Sequence, residues 1–198
     1  MLAMTKRQQL TRLLAERSVK RGLFTLASGK LSKLYVDARI TTMSPEGLAL
    51  IGPVALEAVR NAGWVLDAVG GLTLGADPIA YSMSYASNSI PPLLRAFSIR
   101  KQPKTHGTGQ LIEGPFQSSD HVAVIEDVIT TGASALRAID AIQNAGGVVE
   151  GVLALVDRQD GGREVIERAG YSVISLIQIG EITALIPDVD ESQGFADG

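Results

Sequence analysis

Residues 122–134, VAVIEDVITTGAS, set two adjacent carboxylates, Glu126 and Asp127, ahead of a loop of small and hydroxylic residues that enters a helix. Ionised carboxylates only accept hydrogen bonds, which suits the hydroxyls of a sugar diol and repels a phosphate placed directly on them. The loop offers the opposite chemistry, because the backbone N–H groups of Thr130, Thr131, Gly132, Ala133 and Ser134 can converge on a phosphate at the helix N-terminus. Such a segment can hold a ribose and its 5′-phosphate at opposite ends of one loop. The candidate substrate-binding run is therefore Glu126 through Ser134, with Val128 and Ile129 included.

Positioning that loop requires an apolar strand before it and a helix after it. Val122, Val124 and Ile125 read as a buried strand, and residues 133–145 carry helical spacing at Leu136, Ile139 and Ile142, so the turn sits where a parallel sheet binds ligands. The rest of the chain repeats that alternation: strands at 65–69, 93–99, 148–156 and 173–179, and helices opening at the Ser44 cap with Pro45, near Asp77 and Pro78, and at 162–169. An α/β fold with a mainly parallel sheet covered by helices on both faces follows. Upstream, residues 5–17 form an amphipathic helix on Leu10, Leu13 and Leu14, and Phe24, Leu26 and residues 34–36 read as short strands around a polar turn. Residues 1–40 or so are expected to make a small N-terminal cover, and residues 41–198 or so the α/β core, all within one domain.

Three further segments carry chemistry. Residues 70–80, GGLTLGADPIA, place glycines between an apolar strand and a Pro-containing helix start, so backbone could approach a diphosphate closely; a plain βα turn reads equally well. Residues 100–106, RKQPKTH, bring Arg100, Lys101, Lys104 and His106 to the head of a long polar connection, 101–119, of a length that is usually functional or disordered. On the residues alone they read as a solvated charge run, and the Arg158 of VDRQDGG, 156–162, as half of a surface Arg–Asp pair.

Composition narrows the class. The chain has 198 residues, 45% of them hydrophobic, and a formal charge of -3, which gives no electrostatic footprint for nucleic acid or an acidic membrane surface. It has no cysteine and two histidines, so neither a disulfide frame nor a transition-metal site is expected. No apolar run reaches the roughly 18 residues of a membrane span, and the N-terminus lacks the apolar core of a signal peptide, so a cytoplasmic location is expected.

The residues above resemble, in order along the chain, the motifs of type I phosphoribosyltransferases. VAVIEDVITTGAS is similar to the phosphoribosyl-pyrophosphate motif, which implies that Glu126 and Asp127 bind the ribose 2′- and 3′-hydroxyls and the loop binds the 5′-phosphate. The same resemblance makes residues 70–80 a pyrophosphate cradle, with Gly71, Leu72, Thr73, Leu74 and Gly75 as contacts. RKxxKxHG looks like the mobile catalytic loop of the orotate branch. It implies a homodimer in which Arg100, Lys104 and His106 reach the neighbouring subunit's site while Lys101 stays in its own. A D-R-Q-type signature puts Arg158 beside the pyrimidine, with Thr130 as a base or ribose contact. FTLASGKLSKLYVD, 24–37, is similar to the segment over the base, with Tyr35 as the stacking side chain and Lys30 or Lys33 as a base contact. Two lysines common in that branch are replaced, at Ala27 and Leu74, and Val36 replaces a frequent aromatic. The implied reaction transfers the phosphoribosyl group to orotate, giving orotidine 5′-monophosphate and pyrophosphate. It implies Mg2+ held mainly by substrate oxygens and water, and catalytic roles for Arg100, Lys101, Lys104, His106 and Asp127. A transferase for a purine or uracil, and a non-catalytic sensor of phosphoribosyl pyrophosphate, are the alternatives.

Overall fold

The computed structural model describes residues 3–25, 31–102 and 111–187. Thr5 opens the first helix with a reciprocal cap: its hydroxyl accepts from the Gln8 N–H and the Gln8 carboxamide accepts from the Thr5 N–H. Helix α1 (Lys6–Arg17) buries Leu10 and Leu14 completely. These side chains join the same apolar cluster as Ile51, Val54 and Ala55 of α3 (Pro45–Asn61), so α1 is a core element rather than part of the cover. The cover itself is the antiparallel pair β1 (Val19–Thr25) and β2 (Leu31–Val36), with a bulge between Arg21 and Phe24. Between the pair and α3 lies the short α2 (Arg39–Thr42). Ser44 accepts from the Gly47 N–H at 3.1 Å, and Pro45 occupies the first turn of α3.

The remaining elements are β3 (Ala68–Leu72), α4 (Ala76–Ser87), β4 (Arg95–Ile99), β5 (Ile112–Glu113), β6 (His121–Ile129), α5 (Ala133–Asn144), β7 (Val148–Asp157), α6 (Gly162–Arg168), β8 (Ser172–Gln178) and α7 (Ile179–Thr183). They build a six-stranded sheet in the order β5-β4-β3-β6-β7-β8, parallel except for β5 on its edge. The chain leaves β3 for β4 on one side and returns to place β6 on the other. The strand order therefore reverses between β3 and β6, and a crevice opens beyond their C-terminal ends. Side chains of β6 alternate between two cores. Val122 and Val124 pack with Ala138, Ile139 and Ile142 of α5, while Ala123 and Ile125 pack with Ile51 of α3 and Ile79 of α4. Burial on both faces explains the unbroken apolar run in the sequence.

Three strand positions differ from the sequence reading. The strand expected at 65–69 lies at Ala68–Leu72, and Val65 is 76% exposed. Pairing sets this register: Ala68 lies opposite both Arg95 and Val122, while the Asp67 N–H and C=O bond outward to His121 and Arg95. Gly70 and Gly71 are consequently strand residues. A Cβ on Gly70 would sit 2.3 Å from the Phe97 carbonyl oxygen, and one on Gly71 2.2 Å from that of Ile125. The strand expected at 93–99 starts at Arg95, and the 101–119 connection contributes β5 to the sheet edge. Apolar residues flanking a strand, such as Leu93 at 69% exposure, look like strand residues until pairing partners are known.

Helices α3 and α4 cross at Gly52. Its absent Cβ leaves room for the Ser82 carbonyl oxygen, which would otherwise stand 2.4 Å away, and the Ser82 hydroxyl donates to the Leu48 carbonyl at 2.6 Å. Neither backbone can yield alone, so Gly52→Ala is expected to cost about 1–3 kcal/mol through overpacking. Thermal unfolding should show this as a lower Tm; an unchanged Tm would mean that the two helices separate freely.

Candidate active site

A cleft of about 570 Å³ lies beyond the C-terminal ends of the central strands. Six pieces of chain line it: Tyr35, Val36, Asp37, Ala38 and Arg39 from the cover and its exit; Leu72, Thr73, Leu74 and Gly75 between β3 and α4; Lys101 after β4; Glu126, Asp127 and Val128 in β6; Thr130, Ser134 and Arg137 around the start of α5; and Arg158 after β7. These pieces are far apart in sequence, and the reversal of strand order between β3 and β6 brings them together.

Strand β6 runs past its carboxylates to Ile129, with Glu126 in register with Ala154 of β7. Regular pairing thus fixes both acids in the half-buried cleft wall. Burial, reinforced by the charge of Asp127 and opposed by Arg137, pushes the Glu126 carboxyl up to about 8. Burial also raises Asp127, against the Val128 N–H donating to it at 2.8 Å and the Arg39 charge. Gly75 lies directly over Asp127, where a Cβ would come within 2.5 Å of the carboxylate. The acidic pair and the turn after β3 are therefore in contact.

Within the loop, Gly132 takes a left-handed conformation, φ 79°, as the N-cap of α5, and a Cβ there would lie 2.7 Å from the Gly162 carbonyl. Having no side chain, Gly132 cannot cap α5 itself; the Ala133 N–H donates to the Thr131 hydroxyl at a long 3.5 Å, and the other first-turn N–H groups are left to a ligand. Thr130 and Ser134 line the cleft, whereas Thr131 and Ala133 are exposed and outside the lining. Ile129, at 1% exposure, belongs to the apolar core. Gly132 is likewise buried, shaping the loop from beneath. Arg137 was not anticipated from sequence. It stands three residues after Ser134, hence on the same helix face, and its guanidinium is 3.5 Å from the Ser134 hydroxyl.

Leu72, Thr73, Leu74 and Gly75 face the cleft, and Gly71 lies behind it in β3. The Thr73 N–H donates to the Ile99 carbonyl at 2.9 Å, tying the turn to β4. The cationic segment divides. Lys101 lines the cleft, while Arg100 lies outside that lining and pairs with Glu113 of β5 at 2.8 Å. Lys104, His106, Lys30 and Ala27 lie outside the described residues. Arg158 is held twice, by Asp160 at 3.1 Å and by the Ser32 hydroxyl of the cover at 3.3 Å, and its side chain is only 12% exposed. The Arg–Asp pair expected on the residues alone thus exists, at the cleft wall rather than on open surface. Tyr35 lines the cleft with its ring 5.4 Å from that of Phe24. Asp37 and Arg39 were also missed; a lone D-A-R after a strand carries no recognisable pattern in sequence.

Taken together, acceptors for a diol, an uncapped helix start, a close backbone turn and several cations surround one cleft. That arrangement suits a sugar bearing phosphates at both ends. No family model matches the chain. Among curated relatives, the orotate phosphoribosyltransferase of Aquifex aeolicus is 46% identical over 184 residues, covering 91% of this chain and 100% of the relative. That of Mycobacterium leprae is 43% identical over 182 residues, covering 90% and 99%. Among solved structures, the orotate phosphoribosyltransferase of Mycobacterium tuberculosis H37Rv in complex with 5-phospho-alpha-D-ribosyl 1-diphosphate is similar with a TM-score of 0.78 at 38% identity, covering 90% of this chain and 99% of that one.

The raised Glu126 carboxyl makes the stability of the ligand-free protein depend on pH. The unfolded chain releases this proton near 4.5 and the folded chain near 8, so the carboxyl favours folding fully below 4.5 and that contribution is lost as pH rises toward 8. Glu126→Gln, neutral in both states, escapes the loss. Its Tm should match wild type at about pH 4.5 and exceed it by a growing margin up to about pH 8. A margin independent of pH would contradict this environment for Glu126.

Proposed function

The chain belongs to the orotate phosphoribosyltransferase family, and from that premise we propose how its residues divide the family's reaction. The enzyme transfers the 5-phosphoribosyl group of phosphoribosyl pyrophosphate to orotate, forming orotidine 5′-monophosphate and pyrophosphate in pyrimidine biosynthesis. The bond from N1 of orotate to C1 of the ribose forms as the C1–oxygen bond to the diphosphate breaks, and the electron pair leaves on the diphosphate. Orotate N1 reacts as its anion, so the demand on the protein is positioning and charge stabilisation rather than a strong base.

One observation carries the assignment of roles: the acidic pair, the start of α5, the turn after β3, Lys101 and Arg158 all line a single cleft. Glu126 and Asp127 accept from the ribose hydroxyls, and the uncapped first turn of α5 with Thr130, Ser134 and Arg137 takes the 5′-phosphate. Thr73, Leu74 and Gly75 offer backbone to the diphosphate. Arg158, a planar fork already held by the cover, reads the carbonyls or carboxylate of the base, with Tyr35 stacking above it. Lys101 approaches the leaving group from its own chain, with Arg100, Lys104 and His106 assigned to the neighbouring one. The outward turn of Arg100 onto Glu113 supports that assignment, and with it a homodimer.

Mg2+ fits the donors present. Among the described residues no group of three or more His, Cys, Asp or Glu could hold a metal ion, and the cleft offers the hard carboxylate oxygens of Glu126 and Asp127, so the ion would be held mainly by oxygens of the diphosphate and ribose and by water. Bound there, the ion would neutralise charge on the departing diphosphate, while Glu126 and Asp127 keep the ribose hydroxyls oriented. We place the enzyme in the cytoplasm, a reading supported by the lack of cysteine and by the finding that no helix among the described residues is long and apolar enough to cross a membrane.

An ultraviolet assay with orotate, uracil and purines should show consumption of orotate alone. Arg158→Ala should then raise the KM for orotate about tenfold or more, the cost of one charged hydrogen-bonded contact, with the KM for phosphoribosyl pyrophosphate little changed. Equal effects on both substrates would remove Arg158 from base recognition. The shared loop has its own test: Lys104→Ala and Asp127→Asn variants, each nearly inactive, should regain activity when mixed under subunit exchange. No recovery would place the loop in its own subunit's site.

A further inference from the structure

Of the cations lining the cleft, Arg39 is the one to which neither the sequence motifs nor the reading above gives a task. It lies at the start of α2, at the exit from the cover, and lines the cleft together with Thr73, Leu74, Gly75 and Asp127. Asp37 grips it as a fork: the Arg39 Nε–H donates to Asp37 Oδ1 at 2.9 Å and an Nη2–H to Oδ2 at 3.0 Å, while the Arg39 backbone N–H donates to Oδ1 at 3.1 Å. A guanidinium has five N–H donors, of which Asp37 takes two, so the outer edge keeps donors directed away from Asp37. The segment under it is fixed. The Asp37 N–H donates to the Ser18 carbonyl at 2.8 Å, Ala38 is 2% exposed, and the buried hydroxyls of Ser18 and Thr41 are 2.7 Å apart.

The turn Thr73–Leu74–Gly75 contributes no cation of its own, and a diphosphate lying on it needs one. Of the other described cations of the cleft, Arg158 is held by Ser32 and Asp160 at the cover and Arg137 stands beside Ser134 at the helix start, which leaves Lys101, at the edge of the segment after β4, as the second cation for the leaving group. Arg39 acts electrostatically on Asp127, and Gly75 of the turn packs against that same carboxylate, so cation, acid and turn adjoin. Building on the division of roles above, we propose that Arg39, held in place by Asp37, is a substrate-binding residue for the diphosphate of phosphoribosyl pyrophosphate and stabilises it as it departs. Asp37 is its positioning residue. A cation on a pinned segment is in place before any loop closes, whereas Lys101 borders the long connection.

Product inhibition by pyrophosphate, together with calorimetric binding of magnesium pyrophosphate to the full-length protein, isolates this contact from turnover. Arg39→Ala should weaken pyrophosphate about ten- to hundredfold and raise the KM for phosphoribosyl pyrophosphate, with the KM for orotate within about twofold of wild type. Arg39→Lys should restore part of the affinity, since it returns charge without the fork, and Asp37→Asn should fall between Arg39→Lys and wild type. Circular dichroism and Tm establish that each variant is folded, and the calorimetry remains readable if turnover is lost. Unchanged pyrophosphate affinity in a folded Arg39→Ala protein overturns the proposal, as does a loss confined to orotate, which would make Arg39 a base contact. A wild-type protein that makes no orotidylate would instead refute the assigned reaction.

Discussion

The structure depends on keeping two carboxylates, Glu126 and Asp127, at the end of a central strand as acceptors inside a cleft that must also take a strongly anionic substrate. Half-burial opposes their ionisation, and direct pairing with arginines would relieve that while using up the acceptor capacity the ribose needs. The fold answers by pairing the cations elsewhere. Within the cleft Arg39 is tied by Asp37 and Arg158 by Asp160, so positive charge flanks the acidic pair without capping it. Neither pairing uses all five donors of its guanidinium, so each arginine keeps N–H groups for a ligand.

Close backbone approach is the second requirement, and the sheet supplies it through missing side chains. Gly70 and Gly71 let β3 lie flush between the carbonyls of Phe97 and Ile125, which sets the height of the turn that follows. Gly75 then settles onto Asp127, and Gly132 and Gly162 bring the start of α6 against the phosphate loop. Every one of these contacts would be closer than 3 Å with a Cβ present. The cleft is thus shaped by backbone packed against backbone, which holds its donors more rigidly than a set of long side chains would.

Much of this was legible in sequence wherever a signal is local. The helix cap at Ser44 declared itself by residue type, and the acidic pair with its loop was a contiguous motif on one strand and turn. What escaped depends on pairing. The position of β3 followed from register with β4 and β6 rather than from the apolar run at 65–69, and β5 formed because the connection folds back on an edge. Ile129 looked like part of the motif but faces the core, since a strand that continues past its carboxylates must alternate sides. Arg39 and Arg137 were invisible for a different reason. Their relation to the acidic pair is spatial, across the exit from the cover and along one helix face.

The cover poses the remaining physical question, because a two-stranded sheet has too little core to hold itself in place. Val19, Leu34 and Val36 pack it onto the main apolar cluster, and polar contacts point it to particular parts of the core: Arg21 donates to the Thr183 carbonyl at 2.8 Å, Arg158 to the Ser32 hydroxyl at 3.3 Å, and Asp37 closes onto Ser18. The Ser32 contact is long and joins the cover to the arginine assigned to the base, whereas the Asp37 contact is short and joins it to the arginine assigned to the diphosphate. The end of the cover nearest the diphosphate is therefore anchored by the backbone before substrate arrives. The end beside Arg158 is held at this point by the longer side-chain bond to Ser32. On the roles proposed above, selection of the base would fall to the half of the cover held by a side-chain bond, and retention of the leaving group to the half held by backbone.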